Sequence, residues 1–99
     1  MEYRTLGRTG LTVSALGMGG LFISSRAAQR DEARLAVHRA LELGVAYFDT
    51  APGYYDSEEV LGHALEGVDA PYIVSTKLGG RPLPFDPRDK DALRRSVEE

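Results

Sequence analysis

The sequence predicts an α/β fold in which parallel strands alternate with helices. Short apolar runs rich in Val, Ile, Tyr and Phe alternate with longer segments whose apolar residues recur at helical spacing. A glycine follows each of the first two helical segments, before the next strand-like run begins. Strands that alternate with helices in this way lie parallel and are joined by right-handed crossovers. The periodicity alone does not distinguish an open sheet from a closed barrel.

The chain begins with a predicted β-hairpin. Residues 3–6 and 11–13 are strand-like, and the turn between them, residues 7–10, begins and ends with glycine, which tolerates a positive φ. Residues 10–20 carry no charged side chain. Because charged residues are rarely buried and apolar ones often are, we expect this uncharged segment to lie in the interior.

The first helix is predicted over residues 31–43, whose apolar side chains fall on one face. Gly44 follows as a C-terminal stop. The apolar residues 45–48 then form a buried strand that ends at Asp49.

A second helix and a third strand follow the same pattern. Ser57 is the expected N-cap of this helix, and Gly67 ends it. The apolar stripe between them consists of Val60, Leu61, Ala64 and Leu65. Residues 72–76 form the next strand, and Lys77 lies at its end.

The last segment predicts a third helix. Residues 86–87, Asp-Pro, form a cap-plus-proline start, and Leu93 and Val97 make an apolar pair at spacing i, i+4. No glycine, C-cap or strand follows this helix, so we interpret the chain, residues 1–99, as the N-terminal portion of one larger domain. The glycine- and proline-rich residues 79–84 either connect the third strand to this helix, which we favour, or border a substrate pocket.

Composition places the chain among ordinary globular proteins and excludes several classes. Hydrophobic residues make up 42% and charged residues 27%, and the net charge is −3 without a basic cluster, so a nucleic-acid partner is not expected. No apolar run is long enough to cross a membrane, and no signal peptide is evident. The absence of cysteine excludes disulfides. These features fit a cytoplasmic protein, as they fit many others.

Three polar residues occupy positions at which parallel α/β folds carry their active sites. Asp49 and Lys77 end neighbouring strands, and Tyr54 lies in the loop directly after Asp49. Because adjacent strands are about 4.8 Å apart, Asp49 and Lys77 can pair. A lysine ammonium favours the phenolate of a nearby tyrosine, so Tyr54 can protonate a carbonyl oxygen while hydride reaches the carbon. Asp49 would keep Lys77 charged and oriented.

Each of these residues also has an ordinary structural interpretation. Asp49 can satisfy backbone groups at a strand end, Lys77 can be a solvated loop lysine, and Tyr54 can be a packed loop aromatic. Taken singly, the structural interpretation is the better one for each residue. Only their combination favours catalysis.

The combination resembles the aldo-keto reductase family in three segments. The segment FDTAPGYYDSEEVLGHAL, residues 48–65, is similar to the family segment in which a DTA strand end precedes the catalytic tyrosine by five residues, which here is Tyr54. The segment YIVSTKLG, residues 72–79, resembles the strand that ends in the catalytic lysine, here Lys77. The segment YRTLGRTGLTVSALGMGG, residues 3–20, resembles the hairpin at the barrel bottom and the first barrel strand.

The resemblance implies the fold and the cofactor. The family fold is a (β/α)8 TIM barrel of about 250 residues or more, of which this chain would supply the hairpin, three strands and about three helices. It implies NAD(P)(H)-linked reduction of aldehydes or ketones, or oxidation of the corresponding alcohols or sugars, with either NADP or NAD. The cofactor-contacting positions are Gly19, Gly20, Leu21 and Asp49. The glycines at 17–20 are not a Rossmann fingerprint, because position 22 is Phe.

Two departures from the family pattern matter. The family also uses a histidine at the end of a later strand, whereas His38 and His63 lie within predicted helices, where we expect them at the surface. Two histidines are also too few for a metal site. Tyr55 stands where many members have glycine, which makes it the second candidate for the acid after Tyr54. Glu58 and its neighbour Glu59 are interpreted as first-turn helix residues and not as a catalytic pair.

Three functional hypotheses follow for a protein that carries this segment. The favoured one is an aldo-keto reductase that acts on a small carbonyl or sugar substrate. The second is a nucleotide-binding regulatory subunit on the same scaffold. The third is an inactive fragment, because a half-built sheet exposes a strand edge. The oligomeric state is left open.

Overall fold

The computed structural model describes residues 1–80 and 85–98, so residues 81–84 of the glycine- and proline-rich loop lie outside the described part. A two-stranded antiparallel hairpin precedes a three-stranded parallel sheet with helices between its strands. The strands are β1 (Tyr3–Thr5), β2 (Thr12–Ser14), β3 (Met18–Gly19), β4 (Tyr47–Asp49) and β5 (Ile73–Ser75). The helices are α1 (Arg30–Glu42), α2 (Ser57–Leu65) and α3 (Lys90–Glu98), and a 3-10 turn covers Leu21–Ile23.

The parallel sheet aligns the three strand ends that carry the candidate residues. Its order is β3-β4-β5, and the register places Gly19 beside Asp49 and Asp49 beside Ser75. The backbone N–H of Thr50 donates to the carbonyl of Ser75 at 2.8 Å, which continues the pairing one residue further. The carboxyl ends of all three strands therefore meet at one edge of the sheet.

The hairpin lies at the opposite end of the sheet. Tyr3 donates its hydroxyl hydrogen to the carbonyl of Gly44 at 3.0 Å, and the backbone N–H of Ala46 donates to Ser14 Oγ at 2.8 Å. Both contacts reach the residues just before β4. The hairpin thus covers the amino ends of the strands and leaves the carboxyl ends open.

The main core lies between β4, α1 and α2. Phe48, Val37, Val60 and Ala64 are each no more than 1% exposed. The alanine at position 64 allows α1 and α2 to approach closely, and His38 Nε2 lies 2.7 Å from the Ala64 carbonyl. The expectation that His38 lies on the surface is therefore corrected, because its ring is half-buried between the helices; His63 is exposed as expected.

Two predicted helix starts are wrong. Ser57 is not an N-cap but the first residue of α2, and its side chain is fully buried and bonds to other parts of the chain. The third helix begins at Lys90 and not at residues 86–87, because the carboxylate of Asp89 accepts the backbone N–H groups of Asp91 and Ala92. Proline at 87 instead lies in the turn before it.

Two burial predictions are also corrected. Within the uncharged residues 10–20, Val13 and Ser14 are buried but Leu11 and Leu16 are exposed, because burial depends on a packing partner and not on the absence of charge. Val97, expected to pack as part of an apolar pair, is 69% exposed. None of the helices in residues 1–80 and 85–98 is long and apolar enough to cross a membrane.

Candidate active site

Two neighbouring strand ends bring Asp49 and Lys77 together, as their spacing predicted. Lys77 Nζ donates to Asp49 Oδ2 at 2.9 Å and to the carbonyl of Thr50 at 3.0 Å. Roughly half of each side chain is accessible, 47% for Lys77 and 40% for Asp49. The ion pair is therefore fixed on the protein side and open to a ligand on the other.

Ser75 holds the second oxygen of Asp49, a role that sequence reasoning missed. Its hydroxyl donates to Asp49 Oδ1 at 2.6 Å. This hydrogen bond, together with the one from Lys77, lowers the pKa of the Asp49 carboxyl below its usual 3.8. Aligning the two predicted strands would have indicated this contact, because Ser75 in β5 is directly opposite Asp49 in β4.

Tyr54 lies against the same ammonium group. Lys77 Nζ is 4.8 Å from the centroid of the Tyr54 ring, within the range of a cation–π contact. The hydrogen bond to Asp49 raises the pKa of Lys77 above its usual 10.5, and its interaction with Tyr54 raises it further, so the lysine is charged at neutral pH. The structure thus gathers Asp49, Lys77 and Tyr54 at one place.

This arrangement can move a proton. A fixed ammonium beside a phenol can stabilise the phenolate that is left after the phenol gives up its proton. The Asp49 carboxylate compensates the charge of Lys77, and the carboxylate and the Thr50 carbonyl together fix the direction of the ammonium on the protein side. Tyr54 is half-buried, so part of its side chain is accessible to a ligand.

The three predicted cofactor positions after β3 differ in their surroundings. Gly19 is exposed, and a Cβ added there would meet nothing within 4 Å. Gly20 is buried, and a Cβ there would lie 2.7 Å from Ser57 Oγ and 2.8 Å from the Asp49 carbonyl oxygen. Leu21 lies at the surface in the 3-10 turn. Gly20 therefore has a packing role whatever it contributes to a ligand.

A buried hydroxyl network lies beneath the site, and the sequence analysis did not predict it. Ser57 Oγ donates to the carbonyl of Gly20 at 2.7 Å and lies 2.7 Å from Thr50 Oγ1. Both hydroxyl groups are almost fully buried. They connect the end of β3, the end of β4 and the start of α2, and so fix the base of the loop that carries Tyr54.

Glu58 and Glu59 lie in the first turn of α2, as the sequence predicted. Thr76 donates its hydroxyl hydrogen to Glu58 Oε1 at 2.5 Å, which connects α2 to the end of β5. A cavity of about 500 Å³ opens beside Glu58 and Lys77, towards Ser96 of α3. In the described part of the chain, no three His, Asp or Glu side chains are grouped so that they could hold a metal ion.

The chain belongs to the aldo/keto reductase family, whose family model matches residues 15–99. The structure resembles that of a putative aldo-keto reductase from Pseudomonas aeruginosa, with a TM-score of 0.83 and 39% identity, over 97% of this chain and 38% of that one. The expected fold class, the first part of a (β/α)8 barrel with an N-terminal hairpin, three strands and three helices, is therefore confirmed.

Two curated relatives illustrate the range of the family. L-galactose dehydrogenase from Arabidopsis thaliana is 39% identical over the whole of this chain and 33% of its own length. A probable voltage-gated potassium channel subunit beta from Oryza sativa is 33% identical over the whole of this chain and 31% of its own length. The chain thus spans about a third of the length of these relatives.

Proposed function

We propose that the protein carrying this segment is an NAD(P)(H)-dependent oxidoreductase that interconverts aldehydes or ketones with the corresponding alcohols or sugars. Tyr54 is the proposed proton donor, tuned by Lys77 and oriented with Asp49. The segment is the proposed N-terminal portion of a single barrel domain. Membership of the aldo/keto reductase family supports the reaction class.

One observation carries the proposal. The ammonium of Lys77 simultaneously contacts the Asp49 carboxylate at 2.9 Å, the Thr50 carbonyl at 3.0 Å and the Tyr54 ring at 4.8 Å. A lysine that served only as a surface charge would have no need of three fixed partners at a strand end. Parallel α/β folds place catalytic groups at this edge.

The residues around this ammonium fit a nicotinamide cofactor. The open space above Gly19 leaves room for a flat group beside the strand end. The accessible carboxylate of Asp49 can accept a hydrogen bond from a ribose hydroxyl. Gly19, Gly20, Leu21 and Asp49 are the proposed contacts. When bound, NAD(P)H supplies the hydride that reduces the carbonyl carbon.

The chain's own residues manage the proton. Tyr54 Oη donates its proton to the carbonyl oxygen as hydride reaches the carbon, so the carbonyl becomes an alcohol and the tyrosine is left as phenolate. The charge of Lys77 stabilises this phenolate, and Asp49 keeps the lysine in place. Because the site is open, water can then return a proton to Tyr54. In the oxidising direction, the phenolate accepts the alcohol proton.

The proposal is tested by Lys77→Met in the protein expressed from the complete reading frame. We expect the rate of NAD(P)H consumption with a reactive aldehyde to fall by about two orders of magnitude or more, because the phenolate loses its stabilising charge. Lys90→Met, which removes the other lysine of the segment at an exposed position of α3, is the matched control. Equal rates for both variants and the wild type would rule out the role of Lys77.

Similarity to the potassium channel subunit supports a second candidate function, a nucleotide-binding regulatory subunit on this scaffold. Such a protein would bind the cofactor tightly but transfer hydride slowly or not at all. Fluorescence titration with NADPH, combined with turnover on a panel of aldehydes and sugars, separates the two candidates. Tight binding with no turnover on any compound would favour the regulatory subunit.

A further inference from the structure

Three consecutive residues after Tyr54 fasten its loop to the segment that follows β3. Tyr55 accepts a hydrogen bond from the guanidinium of Arg26, and Asp56 Oδ1 accepts the backbone N–H of Ser25 at 2.7 Å. Ser57 Oγ donates to the carbonyl of Gly20 at 2.7 Å. These three contacts are called the 55–57 junction. The loop is thus held from the β3 side immediately after the candidate acid.

Tyr54 faces the other way. Its ring lies against Lys77 at the end of β5, whereas the ring of Tyr55 lies against Arg26 on the β3 side. The two adjacent rings therefore contact different cations on opposite sides of the loop. Two turn hydrogen bonds hold the backbone of this loop, from Tyr54 N–H to the Ala51 carbonyl at 3.1 Å and from Ser57 N–H to the Tyr54 carbonyl at 2.9 Å.

The backbone at Tyr55 has an unfavourable conformation. Its φ is 54°, and it is the one non-glycine residue with a positive φ in residues 1–80 and 85–98. A tyrosine in the left-handed region is strained, because its Cβ crowds the backbone, and the conformation persists only where surrounding contacts impose it. Glycine would adopt the same φ at no steric cost. The turn hydrogen bonds and the side-chain contacts of Tyr55 together therefore hold the tyrosine in this conformation.

Arg26 contributes to that hold in two ways. Its guanidinium donates to the Tyr55 hydroxyl, and its central carbon lies 5.1 Å from the centroid of the Tyr55 ring. A planar guanidinium is suited to stacking and donating at once, which a lysine ammonium is not. Leu21 and Phe22 complete the surroundings, and together these residues line a cavity of about 480 Å³ beside the candidate active site.

We propose that Tyr55 is a positioning residue and that Arg26, through its contact with Tyr55, fixes the direction in which Tyr54 presents its hydroxyl to Lys77. The inference rests on the proposed function, in which Tyr54 is the proton donor. Loss of the contact releases the strained φ at position 55. The peptide between the two tyrosines then rotates, and Tyr54 moves off the ammonium of Lys77.

The first test compares Arg26→Met and Tyr55→Ala in the complete protein. Each variant removes the contact, and we expect kcat to fall about tenfold while KM for NADPH stays unchanged, since misplacement of a catalytic group slows chemistry without weakening cofactor binding. The double variant should be no slower than the slower single variant, because both remove the same interaction. Arg26→Lys should restore little activity, as the stacked donor geometry is lost.

Matched controls separate positioning from general destabilisation. Arg34→Met removes an exposed arginine from α1 and should leave kcat unchanged. Tyr55→Phe keeps the ring beneath the guanidinium but removes the hydroxyl, and should lose less activity than Tyr55→Ala. If Arg26→Met lowers only the melting temperature and leaves kcat intact, or if the losses in the double variant multiply, the positioning role is overturned.

A second measurement decides the inference even if the proposed function fails. The protein is labelled with 3-fluorotyrosine, and the ¹⁹F resonance of Tyr54 is assigned from its disappearance in Tyr54→Phe. We expect this resonance to shift or broaden in Arg26→Met and Tyr55→Ala but not in Arg34→Met. Absence of turnover in the wild type would reject the proposed function alone, whereas an unchanged Tyr54 resonance in both variants would reject the positioning role.

Discussion

The chain contains three strand–helix units: β3 with α1, β4 with α2, and β5 with α3. The second and third units follow the same sequence pattern but are packed very differently. In the second unit, Phe48 of β4 is 1% exposed, and α2 buries a continuous apolar stripe against α1. In the third unit, Val74 of β5 is 41% exposed although it is the register partner of Phe48, and α3 has no buried residue. The residue types are alike, so the difference comes from what surrounds them.

A strand in a parallel sheet is buried only when neighbours cover both its edges and its helix-facing side. β4 has a strand on each side and packs against both α1 and α2, whereas β5 has one strand neighbour among residues 1–80 and 85–98. An open groove of about 310 Å³ lies between α2 and β5, bordered by Leu61, Leu65, Tyr72 and Val74. The stability of this chain therefore resides in the first two units, although Lys77 of the candidate site extends from the third.

The largest expected effect on stability comes from exchanging the two register partners for alanine. Phe48→Ala should lower the free energy of unfolding by about 3–5 kcal/mol, because it leaves a cavity in the packed core. Val74→Ala should cost less than about 1 kcal/mol at its exposed position. Urea unfolding of the 99-residue chain measures both values, because a further strand of a complete barrel would cover β5. Similar costs for the two variants would contradict the difference in packing.

A second pair of variants tests how tightly β3 is packed against α2. Gly20→Ala places a Cβ 2.7 Å from Ser57 Oγ and should cost about 1–3 kcal/mol through overpacking. The φ of Gly20 is −90°, which alanine adopts freely, so the cost is steric only. Gly19→Ala meets no neighbour and should change stability by less than about 0.5 kcal/mol. A larger loss at position 19 than at position 20 would contradict the packing described.

The smallest expected effect is on the pH dependence of stability. The folded-state pKa of Asp49 is lowered below 3.8, so its contribution is complete above that pH and is lost as the pH falls through the lowered value. The pKa of Lys77 is raised above 10.5, so its contribution is present below that pH and is lost as the pH rises through the raised value. In melting curves recorded against pH, Asp49→Asn should flatten the acid limb relative to the wild type, and an unchanged acid limb would contradict this contribution.

The sequence predicted the parts of the fold that depend on local chemistry. The glycines after the first two helices adopt positive φ, +92° at Gly44 and +74° at Gly67, as helix stops require. The pairing of Asp49 with Lys77 also followed from the sequence, because both residues end strands that had to be adjacent. Their catalytic and cofactor-binding roles, and those of Tyr54, Gly19, Gly20 and Leu21, stay predictions.

Features that depend on distant contacts were missed or wrong. Serine is a residue type that favours the N-cap position. Ser57 instead lies inside the helix, where its hydroxyl makes a buried hydrogen bond to Gly20, 37 residues away. The contact between Arg26 and Tyr55 joins two loops and requires a strained backbone, which no local pattern indicates. Leu16 shows that a residue of an uncharged segment can still be exposed, because burial depends on packing partners that the local sequence does not reveal.

The most direct test of the central claim is the rate of NAD(P)H-linked carbonyl reduction by Tyr54→Phe in the complete protein. Tyr72→Phe, which removes a hydroxyl from the exposed edge of the third unit, is the matched control. We expect Tyr54→Phe to lose two orders of magnitude or more in kcat, roughly what removal of a general acid costs, while Tyr72→Phe keeps the wild-type rate. Full activity of Tyr54→Phe would contradict the role of Tyr54 as proton donor and would make Tyr55 the next candidate for the acid.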